Sequence, residues 1–139
     1  MVVKSTAEKA LVNLITRRNL PHNCVEWQEF HALIQYFNFT AIDVLPTAHT
    51  AVASLIRREY ALRKIQIKQK LHQSKSLIHL TTDSWTSPNR LEFQAITARF
   101  VDADGKLLKA LIALPELHTG HAGEAVALCI LEVIKDFEI

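Results

Sequence analysis

The sequence predicts an α+β fold in which a helical region comes first and three antiparallel strands with a final helix follow it. Apolar residues recur every three to four positions up to about residue 75, which is typical of amphipathic helices. After Ser76 the period changes to about two, which is typical of strands, and turn-forming residues separate the periodic segments. We therefore divide the chain into a helical region of residues 1–75 and a β-β-β-α region of residues 76–139.

Three helices are predicted in the first region. Ser5 and Glu8 form a capping-box pattern at the start of the first helix. The third is long, from a cap at Thr47 to about Gln73, and we expect its basic far end to project toward solvent or a partner. The second helix carries an apolar stripe at helical spacing: Trp27, Phe30, Leu33, Ile34 and Phe37.

The second region predicts three strands joined by short connections. Asp102 to Gly105 has the composition of a hairpin turn between the second strand and the third. A loop of residues 115–123 then leads to a helix from Glu124 to Phe137, which is apolar on both faces and should pack deeply against the sheet. The strands are expected at residues 77–83, 91–101 and 106–114.

A fourth strand, parallel to the first, is the expected continuation of three antiparallel strands and a crossover helix. The chain ends at Ile139, where that strand should begin. An uncovered sheet edge is a liability for a folded protein. The pattern therefore predicts a β-β-β-α unit that is truncated before its fourth strand.

Composition indicates an ordinary globular protein, with 49% hydrophobic and 22% charged residues. The longest apolar run, residues 125–131, is far shorter than the ~20 residues that span a bilayer, and the N-terminus has no signal-peptide core. We expect no membrane association and a cytoplasmic or nuclear location. Cys24 and Cys129 are isolated in sequence, which favours buried thiols over a zinc or redox site.

A basic block lies in the long predicted helix. Between Thr47 and Lys75 there are seven cationic side chains and the single acid Glu59. The block carries a charge of +6 and the remainder −4, and such asymmetry suits a polyanion such as DNA. Charge alone favours the simpler interpretation, a solvated helix face. The candidate DNA contacts are Arg57, Arg58, Arg63, Lys64, Lys68 and Lys70.

Asp83 is the candidate catalytic and metal-ligating residue. It ends the first predicted strand, where an aspartate is a poor strand former. A carboxylate there can supply one ligand of a Mg²⁺ ion, although two-metal phosphoryl transfer needs more than one acid. The alternative is a cap for the turn that follows, and the residues alone leave both open. Trp85 is either a core aromatic or a stacking platform for a base.

The run of residues 78–127 resembles the opening of the catalytic domain of hAT-family transposases. The matching elements are Thr-Asp-Ser-Trp-Thr-Ser at Thr82 to Ser87, the strand from Phe93 to Asp102, and the helix entry His121 to Glu124. The stretch from Leu20 to Thr47 is similar to the helical region that precedes that domain. The resemblance covers about residues 20–139 and is nearest to the versions found in fungal elements.

This resemblance implies an RNase H-like fold with an Asp-Asp-Glu site that holds Mg²⁺ or Mn²⁺ in the complete enzyme. Asp83 matches the first acid, and the second and third would lie beyond the helix that ends near Phe137. We therefore expect a transposase fragment that by itself binds no metal stably, cuts no DNA and contacts DNA weakly and without sequence preference. The location would be nuclear if the gene is expressed. The chain could also form a homo-oligomer.

Two alternatives accompany this interpretation. The downstream acids could complete an active enzyme, or the chain could be a domesticated DNA-binding or protein-interaction module in which Asp83 is a relic. The family's BED-type zinc finger and C-terminal dimerisation region have no counterpart in these residues.

Overall fold

Within residues 3–117 and 123–139, which the computed structural model describes, the chain forms four α-helices and a four-stranded sheet. The α+β class and the order of helices before strands are confirmed. Contacts divide the chain into residues 1–63 and residues 64–139, and the division falls inside the third helix. The elements are α1 (Lys4–Arg18), α2 (Gln28–Phe37), α3 (His49–His72), β1 (His79–Thr86), β2 (Glu92–Val101), β3 (Leu107–Ala113), β4 (Glu116–Leu117) and α4 (Gly123–Phe137).

Residues 1–63 fold around a small apolar core. Two 3-10 helices, His22–Glu26 and Phe39–Ala41, lie in the segments between the α-helices, and neither was predicted. Burial of apolar side chains supplies the driving force for this packing. The buried cluster consists of Leu11, Ile15, Cys24, Val25 and Val52.

The predicted capping box at the start of α1 is wrong. The helix begins at Lys4, with Val3 at the cap position and no side-chain hydrogen bond there. Ser5 is already inside the first turn, so it cannot cap the free N–H groups. The carboxylate of Glu8 instead accepts a hydrogen bond from Arg58 at 2.7 Å.

The apolar stripe of α2 is only partly used in packing. Phe30 and Ile34 are half-buried, whereas Leu33 and Phe37 are exposed, and α2 has no fully buried residue. The helical prediction for this segment is confirmed, but the stripe does not form a closed core. It leaves apolar surface available on residues 1–63.

The third helix begins at His49, two residues after the predicted cap at Thr47. Its first N–H is bound by a carboxylate from elsewhere in the chain: Glu26 Oε1 accepts from the backbone N–H of His49 at 2.8 Å and lies 2.7 Å from His49 Nδ1. These hydrogen bonds lower the pKa of Glu26, because they stabilise its charged form.

Residues 64–139 contain the sheet, in which β1, β2 and β3 are antiparallel neighbours in that order. The predicted strands and the Asp102 turn are confirmed, since Asp102 Oδ1 accepts from the N–H groups of Asp104 and Lys106 and Gly105 adopts a φ of 80°. The predicted loop of residues 115–123 contains one more strand, β4, which pairs with β2.

One face of the sheet is covered by helices. The end of α3 and one side of α4 pack onto it, with Leu71 and Phe137 each 2% exposed. The prediction that the basic far end of α3 projects toward solvent or a partner is therefore wrong, because its apolar side belongs to this core. The expected packing of α4 against the sheet is seen, but it uses one side of the helix, because Leu128 and Leu131 are exposed.

The first strand is longer than predicted and lies at the edge of the sheet. It runs to Thr86, so Asp83 lies within the strand and not at its end. Among the described strands β1 pairs only with β2.

Candidate functional site

Asp83 lies opposite Ala95 in the β1–β2 ladder, and its side chain is exposed. Within residues 3–117 and 123–139 its carboxylate forms no hydrogen bond or ion pair. The turn that follows β1 is held by Ser87, whose hydroxyl accepts from the N–H of Leu91 at 3.1 Å. The interpretation of Asp83 as a cap of that turn is therefore wrong.

The described residues do not assemble a two-metal centre around Asp83. No group of three His, Cys, Asp or Glu side chains comes together in the part of the chain that the structure describes. A two-metal centre needs ligands for two ions ~3.5–4 Å apart. One exposed carboxylate can supply a single ligand position, so these residues do not fit the Mg²⁺ or Mn²⁺ site that the family resemblance implies. His118 and His121 lie outside the described residues.

Trp85 is neither a buried core residue nor a fully free side chain. It is 39% exposed, and its ring lies 5.8 Å from that of Phe93 at an interplanar angle of 31°. The ladder explains this contact, because Trp85 is directly opposite Phe93 on β2. An aromatic pair with an open side retains surface for stacking.

The candidate DNA contacts in residues 1–63 differ in their surroundings. Arg58 is paired with Glu8 at 2.7 Å, and Arg63 contacts both Glu59 and Asn13 at 3.0 Å. Arg57 is exposed and has no ion pair within the described part of the chain. Exposed pairs of this kind contribute only about 0–1 kcal/mol, so the arginines retain much of their capacity to bind an anion.

Two of the candidate DNA contacts in residues 64–139 form ion pairs with the C-terminal end of the chain. Lys64 lies 2.5 Å from Asp136 Oδ2, and Lys68 lies 2.5 Å from Glu138 Oε1 and donates to the backbone carbonyl of Asp136. Both lysines are half-buried and join the end of α3 to the end of α4. The hydrogen bond from Lys68 lowers the pKa of Glu138.

Lys70 is exposed and forms no ion pair among the described residues. The six predicted cations therefore differ in their surroundings. Two are engaged with α4, two are in exposed contacts within residues 1–63, and Arg57 and Lys70 are uncommitted.

Two features of the sheet were missed by sequence reasoning. Gln94 is fully buried on the helix-covered face, where its Oε1 accepts a hydrogen bond from the Ser84 hydroxyl. Strand register also aligns three basic side chains across the sheet, with His79 opposite Arg99 and Arg99 opposite Lys109. The alternation of β2 was visible in the sequence, but the row depends on the register of β2 with both neighbouring strands.

The two cysteines are buried and unpaired, as predicted. Burial raises the pKa of both thiols, because it disfavours the thiolate. Among the described residues no helix is long and apolar enough to cross a membrane.

Comparison with known proteins finds a family match over the region of the sheet and α4. Residues 81–139 match the family described as the ZBED1 RNase-like domain. The chain is also 31% identical over 130 residues to a protein of Talaromyces stipitatus that carries the provisional name transcriptional regulator tpeD. That alignment covers 93% of this chain and 15% of the relative, so the chain spans a small part of the relative's length. No solved structure matches the chain.

Proposed function

We propose that the chain is the DNA-contacting part of a transposase-derived protein of the hAT type, and that its own residues do not cut DNA. The match of residues 81–139 to an RNase-like domain supports the origin. The isolation of Asp83 supports the proposal that these residues do not cut DNA. Its carboxylate lies exposed on β1, and the described residues bring no group of acids together around it. Phosphoryl transfer by two metal ions requires acids that converge.

The similarity to a protein named as a regulator of transcription supports a role on DNA and a nuclear location. The resemblance of residues 20–139 to fungal elements supports a fungal-type hAT source. The complete protein would hold Mg²⁺ or Mn²⁺ through Asp83 and acids outside these residues.

DNA contact through α3 depends first on Arg57 and Lys70. Both are exposed and uncommitted, so they can approach a phosphate without breaking an existing pair. Arg58 and Arg63 are exposed, but phosphates would have to compete with their half-buried carboxylate and amide partners. Lys64 and Lys68 contribute less, since their ammonium groups hold the end of α4.

Salt-dependent binding to duplex DNA tests this proposal. Each lost phosphate contact should reduce the slope of log K against log salt by about 0.9. We expect Arg57→Ala and Lys70→Ala each to reduce the slope by about that amount, whereas Lys135→Ala on exposed α4 surface leaves it unchanged. An affinity that is insensitive to salt in the wild-type chain would refute DNA contact through these cations.

A second candidate function is protein interaction, and the exposed apolar side of α2 favours it. Tyr36 and Phe37 are 85% and 77% exposed, and Leu33 lies beside them on the same helix. Under this alternative the chain forms a stable oligomer or complex at micromolar concentration, Asp83→Asn leaves it intact, and Phe37→Ser weakens it. A monomer in light scattering at that concentration, with no change for Phe37→Ser, would exclude self-association through α2.

A further inference from the structure

The sheet of residues 64–139 has one face that neither α4 nor the end of α3 covers. We call it the outer face; it comprises the odd-numbered residues of β2 from Phe93 to Arg99 and their register partners on β1 and β3. The even-numbered residues from Gln94 to Phe100 are all buried on the opposite face, where α4 and the end of α3 pack. On the outer face Arg99 is exposed, and Ala95 and Thr97 are only half-buried.

A row of basic side chains crosses one end of the outer face. His79, Arg99 and Lys109 are direct neighbours on three adjacent strands, and all three are exposed. None has an ion pair among residues 3–117 and 123–139. Arg99 and Lys109 are like charges placed directly opposite each other, which destabilises a sheet, so this pair opposes folding slightly. A bound anion would remove that repulsion.

The other end of the outer face carries the aromatic pair of Trp85 and Phe93. Between the two ends, β1 and β2 present the small side chains of Thr81, Ala95 and Thr97, which allow a ligand to approach the backbone closely. On β3 the exposed side chain of Leu111 lies opposite Thr97. Trp85 and His79 are six residues apart on β1, which corresponds to about 20 Å of extended strand. The carboxylates of Asp83 and Glu116 also lie on this face, toward the aromatic end. They would direct a polyanion's phosphates toward the basic row.

This arrangement suits a nucleic acid whose bases are free to stack. An exposed aromatic ring can stack on any unpaired base, whereas cationic side chains follow the backbone phosphates. In a duplex the base faces are stacked on one another, so a flat sheet cannot reach them. Charge at one end and an aromatic ring at the other therefore favour a single strand that lies along β1 and β2.

We propose that the outer face binds single-stranded DNA, with a base stacked on Trp85 and phosphates held by Arg99 and Lys109. The choice of DNA as the nucleic acid rests on the proposed function, but the surface is separate from the cations of α3. Strand-separated DNA is the ligand class that such a surface would select over duplex.

The test uses the whole chain with the substitution Trp27→Phe, which leaves Trp85 as the remaining one of the two tryptophans. Titration with an oligothymidylate of about 12 nucleotides should quench the fluorescence of Trp85. In anisotropy measurements with labelled DNA, Trp85→Ala should weaken binding about tenfold and leave the salt slope unchanged. Arg99→Ala should instead reduce that slope by about 0.7.

Lys135→Ala is the matched control, because it removes an exposed cation from α4. It should change neither the affinity for single-stranded DNA nor the salt slope. Circular dichroism of each variant verifies that the fold is retained; if Trp85→Ala unfolds, quenching in the Trp27→Phe chain still tests stacking. Unquenched Trp85 fluorescence at saturating DNA would overturn the inference, as would wild-type binding by Arg99→Ala. Quenching of Trp85 fluorescence by a duplex or by RNA of matching length at lower concentrations than by the oligothymidylate would overturn it too. If Arg57→Ala and Lys70→Ala leave the salt slope of duplex binding unchanged, only the proposed function fails. A failure of the proposed function is therefore distinguishable from a failure of this inference.

Discussion

The two faces of β2 differ in what their residues do. On the helix-covered face Ile96 and Ala98 are fully buried, and Phe100 is 1% exposed. One residue away along the strand, Thr97 and Arg99 point to the outer face. Because side chains alternate along a strand, the ten residues of β2 contribute to the buried core on one face and to the exposed surface on the other. The apolar face supplies the packing of residues 64–139, whereas the outer face carries charge that packing does not need.

This difference indicates where selection for binding can act. Replacing a buried residue changes the stability of the domain, so it cannot easily adapt to a ligand. Replacing a residue of the outer face leaves the packing unchanged. The proposed contacts of DNA therefore lie where they cost the fold little.

The largest expected effect is a difference in the free energy of unfolding between substitutions on the two faces of β2. Phe100→Ala should lower the free energy of unfolding by about 3–5 kcal/mol, because it removes a buried ring and leaves a cavity. Thr97→Ala on the outer face should change it by no more than about 0.5 kcal/mol. Urea denaturation measures both. Similar losses for the two variants would show that the outer face is covered in solution.

A smaller effect is expected at the buried amide. Ser84→Ala removes the hydroxyl that donates to Gln94 Oε1 and leaves that buried oxygen without its partner. The expected loss is about 1–3 kcal/mol in the free energy of unfolding. Thr82→Ala, an exposed position on the same strand, serves as the control. An unchanged stability in Ser84→Ala would mean that water reaches Gln94.

A gain in stability is expected when the basic row is broken. Arg99→Glu places a carboxylate between His79 and Lys109, its direct neighbours on β1 and β3. Opposite charges at such positions should raise the free energy of unfolding by roughly 0.2–1 kcal/mol. The same variant should bind single-stranded DNA more weakly than Arg99→Ala does. A loss of stability would contradict the idea that this row opposes folding.

The smallest expected effect concerns pH. The pKa of Glu138 is lowered from 4.5 by its hydrogen bond from Lys68, so the ionised carboxylate stabilises the folded state. That contribution is complete above the unfolded value and is lost as pH falls through the lowered pKa. Wild type should therefore exceed Glu138→Gln in melting temperature at neutral pH, and the gap should close as pH falls below 4.5. A gap of constant size across that range would exclude the ion pair as its source.

Much of the fold could be predicted from the sequence, because the periods of β2 and of α1 are strong local signals. The bounds of β1 could not, since Asp83 and Ser84 are poor strand formers that pairing with β2 nevertheless holds in the ladder. The role of the end of α3 was also missed. Charge dominates that segment, whereas Leu71 and Ile67 decide its packing.

The candidate site was predictable only in part. The resemblance singled out Asp83 and Trp85 as chemistry-bearing positions, and Trp85 does have an aromatic partner. The pairing of Lys64 and Lys68 with the end of α4 depends on tertiary contacts between distant residues, which charge counting cannot reveal. The row of His79, Arg99 and Lys109 likewise arises from register and not from proximity in sequence.

The most direct test of the proposed function is nicking of supercoiled plasmid by the purified chain with Mg²⁺, with Asp83→Ala measured beside the wild type. We predict that both proteins bind the plasmid and that neither cuts it, since Asp83 has no converging acid among the described residues. Cleavage by the wild type that disappears in Asp83→Ala would contradict this prediction. It would show that another acid completes a working site around Asp83.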